Sequence, residues 1–309
     1  MVAAPARGDR LYIVGLMYCD LHMHSLASDG TDRPEELPRL ARLASLDAIA
    51  LTDHDTTAGL AACAAAAHEV ALAFVPGIEL SARIDAQASE AAAARTVDGL
   101  ELHLLGYFID PQSEALLNAQ RWLVQARDQR NPRLVARLNE LGVRIDYDEV
   151  VARAGGGIVG RPHIAQIMLD KGYVRSLHEA FNRYIGEGGV AYEPKPRLAA
   201  GDAIEVIHAA GGLAMLAHPV QLNVPDADAV ELVVRLLREM GLDGIETHHS
   251  DHLPQHVRQY EALARRYGLL SSGGSDYHGS RKACRMGEPR LPLAVYRALA
   301  EAAGVAADF

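Results

Sequence analysis

Short apolar runs and Ala-rich stretches alternate along this chain about seven times, and that rhythm limits the folds open to it. Runs with strand character cover 17–21, 48–51, 73–78, 101–108, 212–217, 244–247 and 269–272. Helices are expected over 33–44, 59–70, 201–210, 226–240 and 254–267, where apolar residues recur about every 3.6 positions beside glycines. Strands alternating with helices imply a parallel sheet, and closure into an α/β barrel is its simplest form. With 309 residues, 49% of them hydrophobic, the chain can fill such a core. Active sites of these folds lie at the carboxyl ends of the strands.

Two segments interrupt the rhythm. Residues 82–99 are Ala-rich and polar and read as an extended hairpin or a loose loop. Residues from about 111 to 193 read as mostly helical, over 114–130, 132–141, 161–171 and 176–185. That stretch is too long for a crossover and suits an inserted helical cap. The expected division is an N-terminal extension over 1–16, a barrel domain over 17–112 and 194–309, and a cap domain over 113–193.

Composition removes several function classes. A formal net charge of −10 is a poor match for duplex DNA, and 5% aromatics argue against a base-stacking platform. No apolar run approaches the roughly 20 residues of a membrane span. Residues 1–16 carry a short apolar stretch without a cleavage-site sequence, unlike a signal peptide. Cys19, Cys63 and Cys284 are far apart and unpatterned, as in a reduced cytoplasmic protein. No obligate protein partner is evident.

Chemistry-bearing residues gather at the ends of the apolar runs. Asp20-Leu21-His22-Met23-His24 is followed by Thr52-Asp53-His54-Asp55, Ala217-His218-Pro219 and Ser275-Asp276-Tyr277-His278. With Asp29, Glu79 and His103 these blocks supply nine candidate metal ligands: His22, His24, Asp29, His54, Glu79, His103, His218, Asp276 and His278. Neutral imidazoles and carboxylates together hold Zn, Mn or Fe ions and leave positions open for water and substrate. His22 and His24 alternate along an extended chain, so both point to one side. The two oxygens of Glu79 can bridge two ions. A single strand-end histidine is ordinarily structural; nine such groups converging on one rim are not. His68, His178 and His208 fall within expected helices and read as surface or packing residues. His248, His249 and His252 follow the sixth strand, near the mouth, and Asp53 and Glu246 are expected to orient the ligating histidines.

The motifs DLHMHSLASDG, LTDHDT, GIEL, LAHP and GGSDYH, dispersed in order over residues 17–279, resemble the PHP (polymerase and histidinol phosphatase) family of metal-dependent phosphoesterases. The resemblance implies a distorted (βα)7 PHP barrel with an inserted helical cap domain. It also implies three divalent ions. One would be held by His22, His24, Glu79 and Asp276, a second by Glu79, His103 and His218, and a third by Asp29, His54 and His278. Manganese is the expected metal, with Zn and Fe as alternatives.

Within the cap, Arg127-x-x-Arg130 and Gly160-Arg161-Pro162-His163-Ile164-Ala165 resemble one subfamily. Its members bind AMP and remove the 3′-phosphate from nucleoside 3′,5′-bisphosphates, and some act as 5′-to-3′ exonucleases on short RNA. Gly160 stands where Ser or Asn is often found, and the 82–99 insert is longer than usual. Arginine offers a planar fork that pairs two phosphate oxygens. Arg127, Arg130, Arg161 and His163 are therefore expected to hold the phosphate that is not cleaved, with Lys195 and Arg197 as weaker candidates. The expected chemistry is attack by a metal-activated hydroxide. Asp276, His218 and His278 are the catalytic candidates, either histidine assisting departure of the 3′-oxygen where its metal leaves it free. A histidinol-phosphate phosphatase and a non-catalytic nucleotide-binding module remain the competing readings.

Overall fold

The computed structural model describes residues 17–85, 96–157, 159–194 and 197–307. The 1–16 extension, Lys195 and residues 86–95 of the insert lie outside the described residues. In chain order the elements begin β1 (Tyr18–Asp20), α1 (Leu37–Leu43), β2 (Ala48–Leu51), α2 (Leu60–Glu69), β3 (Ala73–Arg83) and β4 (Glu101–Tyr107). Four helices follow, α3 (Glu114–Glu140), α4 (Tyr147–Arg153), α5 (Arg161–Asp170) and α6 (Leu177–Ala180), the last running into a π-helical turn over Phe181–Ile185. The chain then forms β5 (Leu198–Ala199), α7 (Ala200–Ala209), β6 (Leu213–Leu216), α8 (Ala227–Glu239) and β7 (Gly244–His249). It ends with α9 (Pro254–Tyr267), β8 (Leu270–Gly274), β9 (Leu291–Pro292) and α10 (Leu293–Ala302).

The main sheet runs β8-β7-β6-β4-β3-β2-β1-β9. It nearly closes on itself, because Leu21 N donates to Gly273 O (3.1 Å) and His24 N to Tyr277 O (2.8 Å). The seam is tight: a Cβ on Gly274 would fall 2.4 Å from the backbone nitrogen of His22. Barrel closure agrees with the rhythm of the sequence, but the uniformly parallel sheet does not. β4 is antiparallel to β3 and to β6. A parallel partner needs a long crossover, usually helical. Here β4 instead pairs back along β3, from Gly77–Tyr107 to Arg83–Glu101, so Ala82 and Arg83, expected in the insert, belong to the strand.

Side-chain alternation sorts the strands onto two cores. In β2, Ala48 and Ala50 face the barrel interior with Val75, Leu105 and Met215, while Ile49 and Leu51 pack against the outer helices. Small inward residues suit the narrow interior. α10 and β9, not anticipated from sequence, close the barrel at the amino end of β1, where Leu293, Tyr296 and Leu299 join the inner cluster. The opposite end is free for polar residues.

The long insert packs a hydrophobic cluster of its own, with Leu134, Leu138, Val150, Ile164, Met168 and Ile185 at its centre. A break near residue 131 was expected, but α3 continues through Pro132. Buried residues on both sides of the proline, Leu123 and Ala126 before and Leu134 and Leu138 after, hold one continuous face. Tertiary packing outweighs the lost hydrogen bond.

Candidate metal centre

Glu79 occupies the middle of the barrel mouth and is fully buried. The strand does not end there as expected; β3 continues to Arg83. Alternation nevertheless puts Glu79 on the inward face with Val75, and His103 on the inward face with Leu105 and Tyr107. His103 sits near the start of its strand. It reaches the same mouth because β4 is the antiparallel strand.

Five imidazoles surround Glu79. Oε1 lies 2.8 Å from His103 Nδ1 and 2.8 Å from His218 Nε2. Oε2 lies 3.3 Å from His22 Nε2, 3.1 Å from His24 Nε2 and 3.1 Å from His54 Nδ1. Asp276 Oδ1 is 3.5, 3.3 and 3.4 Å from His22, His24 and His278. Asp29 Oδ1 approaches His278 Nε2 at 3.2 Å. All nine sequence candidates therefore converge. Three groups close to this centre sit at positive φ, Asp55 (55°), His218 (26°) and Asp276 (55°), conformations that cost about 1–3 kcal/mol each and recur at functional sites.

The tautomers fix where lone pairs point. His22 Nδ1 pairs with Glu246 Oε1 at 2.9 Å, so the ring proton is there and the Nε2 lone pair faces His24 Nε2 (3.2 Å) and Glu79. His278 Nδ1 pairs with the carbonyl of Asp276 at 2.8 Å, so its Nε2 lone pair faces Asp29. Acceptors opposed to acceptors need either protons or cations between them. His24 Nδ1 and His54 Nδ1 are also buried without a directed hydrogen bond. Ligand atoms converge in four groups: His24-Asp29-His54-His278, His22-His249-Asp276, His22-His24-Glu79 and His54-Glu79-His103. The donor set fits divalent cations.

Electrostatics point the same way. Burial opposes ionisation of Glu79, yet His54, His103 and His22 outweigh it and hold the carboxyl well below its usual range. Asp276 is likewise held low against burial, by Lys282, His22 and His278. Burial works against charge on His24, but the Asp276 and Glu79 carboxylates raise its pKa to about 9. In the absence of a metal, protons balance the carboxylates.

Further groups support these side chains. Glu246 orients His22, as expected, and also accepts from His218 N at 2.7 Å. Asp53 does not orient a histidine. It accepts from Ser25 N (2.7 Å), Ser25 Oγ (2.6 Å) and Ser28 Oγ (2.6 Å), fixing the turn that carries Asp29. Neighbours along an extended chain point oppositely, so Asp53 is turned away from the rim that His54 faces. Asp20 does the same for the loop after β8, accepting from Ser275 N (2.8 Å), Ser275 Oγ (2.6 Å) and Gly287 N (2.7 Å). Of the three histidines near the sixth strand, His249 faces the centre. A β-bulge after Glu246 resets the alternation, so Glu246 and His249 are both buried while His248 turns toward Glu261. Sequence reading missed Asp20, and nothing in the pattern signals a bulge at Thr247.

The cap closes over this mouth. Arg127, Arg130 and Arg161 line a pocket of about 180 Å³ together with Arg197, Asp29 and His54. Arg127 donates to Asp55, itself fixed by Ser81, and Arg197 to Glu101. Arg161 lies 5.8 Å over both the Phe181 and Tyr192 rings. Burial, then repulsion from Arg161, Arg127 and Arg197, lowers the pKa of Arg130 to about 9, and its Nε is buried without a partner. This is an under-neutralised cationic pocket. His163, the fourth expected residue, uses Nδ1 to cap its own helix by accepting from Gly160 N at 3.0 Å.

The model of the PHP domain matches residues 20–193. The chain belongs to the PHP family. Over 262 residues it is 33% identical to a 5′-3′ exoribonuclease of Haemophilus influenzae, covering 84% of this chain and 89% of that one. It is 30% identical over 260 residues to a 3′,5′-nucleoside bisphosphate phosphatase of Chromobacterium violaceum (84% and 86% covered). A phosphoribosyl 1,2-cyclic phosphate 1,2-diphosphodiesterase of Eggerthella lenta is 34% identical over 264 residues (84% and 94% covered). A crystal structure from Bifidobacterium adolescentis, described as a metal-dependent phosphoesterase, superposes with a TM-score of 0.81 at 29% identity, covering 94% of this PHP chain and 98% of that one. No helix among the described residues of this PHP protein is long and apolar enough to cross a membrane.

Proposed function

We propose that this chain hydrolyses the 3′-phosphate of nucleoside 3′,5′-bisphosphates, leaving AMP or its analogues in the arginine pocket, and also removes nucleotides from the 5′ end of short 5′-phosphorylated RNA. The observation that carries the reading is the shared wall between the two sites: Asp29 and His54 belong to the ligand cluster and also line the arginine pocket. One phosphate among the metal ligands then leaves a second phosphate of the same nucleotide facing Arg127, Arg130 and Arg161. The names of the three relatives share a ribose phosphate or ribonucleic acid, which supports the same substrate class.

The nine ligands would hold three divalent ions, in the three sets the family resemblance implies, with Mn favoured and Zn or Fe as alternatives. When bound, such ions supply positive charge for the phosphate oxygens and lower the pKa of water. The protein supplies the rest. Arg127, Arg130 and Arg161 fix the remote phosphate and orient the scissile one. Glu246 holds the proton of His22 on Nδ1, keeping Nε2 available. Asp276 Oδ1 and His278 hold their side of the ligand cluster, and whichever of His218 and His278 its metal leaves free hands a proton to the departing 3′-oxygen. The three unpaired cysteines, two of them buried, fit a reducing compartment such as the cytoplasm.

A cationic pocket repels the ammonium of histidinol phosphate, which disfavours that substrate. The test compares phosphate release from 3′,5′-bisphosphates, 5′-phosphorylated short RNA and histidinol phosphate with Mn supplied. Fastest turnover of histidinol phosphate would overturn the reading. Stoichiometric metal with no turnover would make the chain a binding module.

A further inference from the structure

A nucleoside bisphosphate needs one anion receptor beside the metal centre, and the mouth carries a second pair of opposed donors. The second lies where α5 meets the loop after β8. Gly160 N donates to His163 Nδ1, so the ring proton of neutral His163 is on Nε2. Burial, reinforced by Arg281, lowers the pKa of His163 to about 4 and keeps it neutral. Its Nε2–H faces Arg281 Nη1 across 3.4 Å. A donor opposite a donor is no hydrogen bond. Both groups are satisfied together by an accepting oxygen, best an anionic one. Arg281 is steadied by donating to the carbonyl of Asp29. It lines a cavity of about 660 Å³ with Lys282, Asp29, His54, His278 and Phe181. Asp29 and His54 also line the arginine pocket, so the ligand cluster lies between the two cavities.

We propose that Arg281, held beside the Nε2–H of His163, binds the phosphate one nucleotide beyond the scissile one, making the larger cavity a subsite for the 3′-side strand of a 5′-phosphorylated oligoribonucleotide. The inference rests on the phosphoesterase reading above and specifies its substrate. Three consecutive phosphates are matched: the 5′-phosphate to the arginine pocket, the scissile phosphate to the ligand cluster, the next to Arg281. In the hydrolytic step a water oxygen bonds to phosphorus and the P–O3′ bond breaks. The electron pair leaves with the 3′-oxygen, which takes one proton, and the second proton of water is released to solvent or a base. The phosphate stays on the 5′-oxygen of the next nucleoside, so the shortened strand again begins with a 5′-phosphate.

The experiment measures kcat/KM of the Mn-supplied enzyme on a 3′,5′-bisphosphate, a 5′-phosphorylated dinucleotide and a 5′-phosphorylated trinucleotide. The trinucleotide alone carries the third phosphate. It should exceed the dinucleotide by about tenfold or more, the worth of one charge-assisted hydrogen bond. Arg281→Met should collapse that ratio toward one, and Arg281→Lys should restore part of it. Metal content of each variant checks that the centre is intact. Equal rates for the two oligonucleotides in the unaltered enzyme would overturn the proposal. So would an equal loss on all three substrates in Arg281→Met, which would put Arg281 in the first receptor. Hydrolysis of none of them would instead sink the phosphoesterase reading, and this inference with it.

Discussion

His249 Nε2 lies 3.3 Å from Asp276 Oδ2, the oxygen turned away from His22 and His24. Asp251 N donates to His249 Nδ1 at 3.0 Å, which puts the ring proton of the neutral form on Nε2, toward Asp276. Lys282 donates to the same oxygen. Oδ2 is thereby occupied, and Oδ1 is left for a cation. Removing a partner of this kind typically costs about 10–100-fold in metal affinity. His249→Ala should weaken metal binding by that range without changing the number of ions at saturation, as read by titration against a competing chelator. Unaltered affinity would remove His249 from the centre, and loss of one equivalent would make it a ligand.

The division of labour between cap and barrel predicts different kinetic signatures. On the proposed reading Arg130 and Arg161 hold only the phosphate that does not react, so Arg130→Met or Arg161→Ala should raise KM for a 3′,5′-bisphosphate by about tenfold to a hundredfold with kcat little changed. His24 sits between Glu79 and Asp276, and His24→Ala should abolish turnover. Equal losses of kcat in the arginine and histidine variants would contradict this separation.

The strand rhythm made the barrel legible because alternation is a local property, and most of the candidate ligands were legible because they close a strand or the turn beside one; Glu79, inside β3, and His103, near the start of β4, do not. β4 shows the limit. Its sequence reads as a strand in either direction, and only the hairpin with β3 decides. His103 does lie beside Glu79 at the mouth, although the reason it reaches there, a reversed strand, was hidden. The roles of Asp53 and His249 depended on side-chain direction. One was opposite to that expected because neighbours along an extended chain point oppositely, and the other was set by a bulge one residue wide. Arg281 carries no motif. Its meaning comes from His163, 118 positions away in sequence and on the cap.

Proton balance in the metal-free centre gives a stability profile. The pKa of His24 is raised to about 9 by Asp276 and Glu79, against an ordinary value of 6.5 in the unfolded chain. A raised folded pKa contributes stability that is fully present below the unfolded value and is lost as pH rises through the folded one. His22 is raised well above its ordinary value and acts in the same direction. Chelator-treated protein should therefore lose thermal stability between pH 6.5 and about 9, a window in which the carboxylates stay ionised. Saturating metal should remove most of that slope, since the cation replaces the protons, and affinity for metal should itself rise with pH. A metal-free melting temperature independent of pH across this window would show that the imidazoles are not protonated there.

The seam between β8 and β1 links fold stability to the site. A Cβ on Gly274 would fall 2.4 Å from both the nitrogen and the Cβ of His22, and the backbone cannot yield without moving the first ligand of the centre. Overpacking of this kind typically costs about 1–3 kcal/mol. Gly274→Ala should lower the denaturation midpoint by a corresponding amount and weaken metal binding as well. The same substitution at Gly211 is a control for backbone strain alone, since it stands at φ 74° with open space around it. Gly211→Ala should destabilise the fold yet leave metal affinity untouched, because only the Gly274 change displaces His22. Parallel losses of metal affinity in both variants would mean that general loosening of the barrel, and not the position of His22, controls the centre.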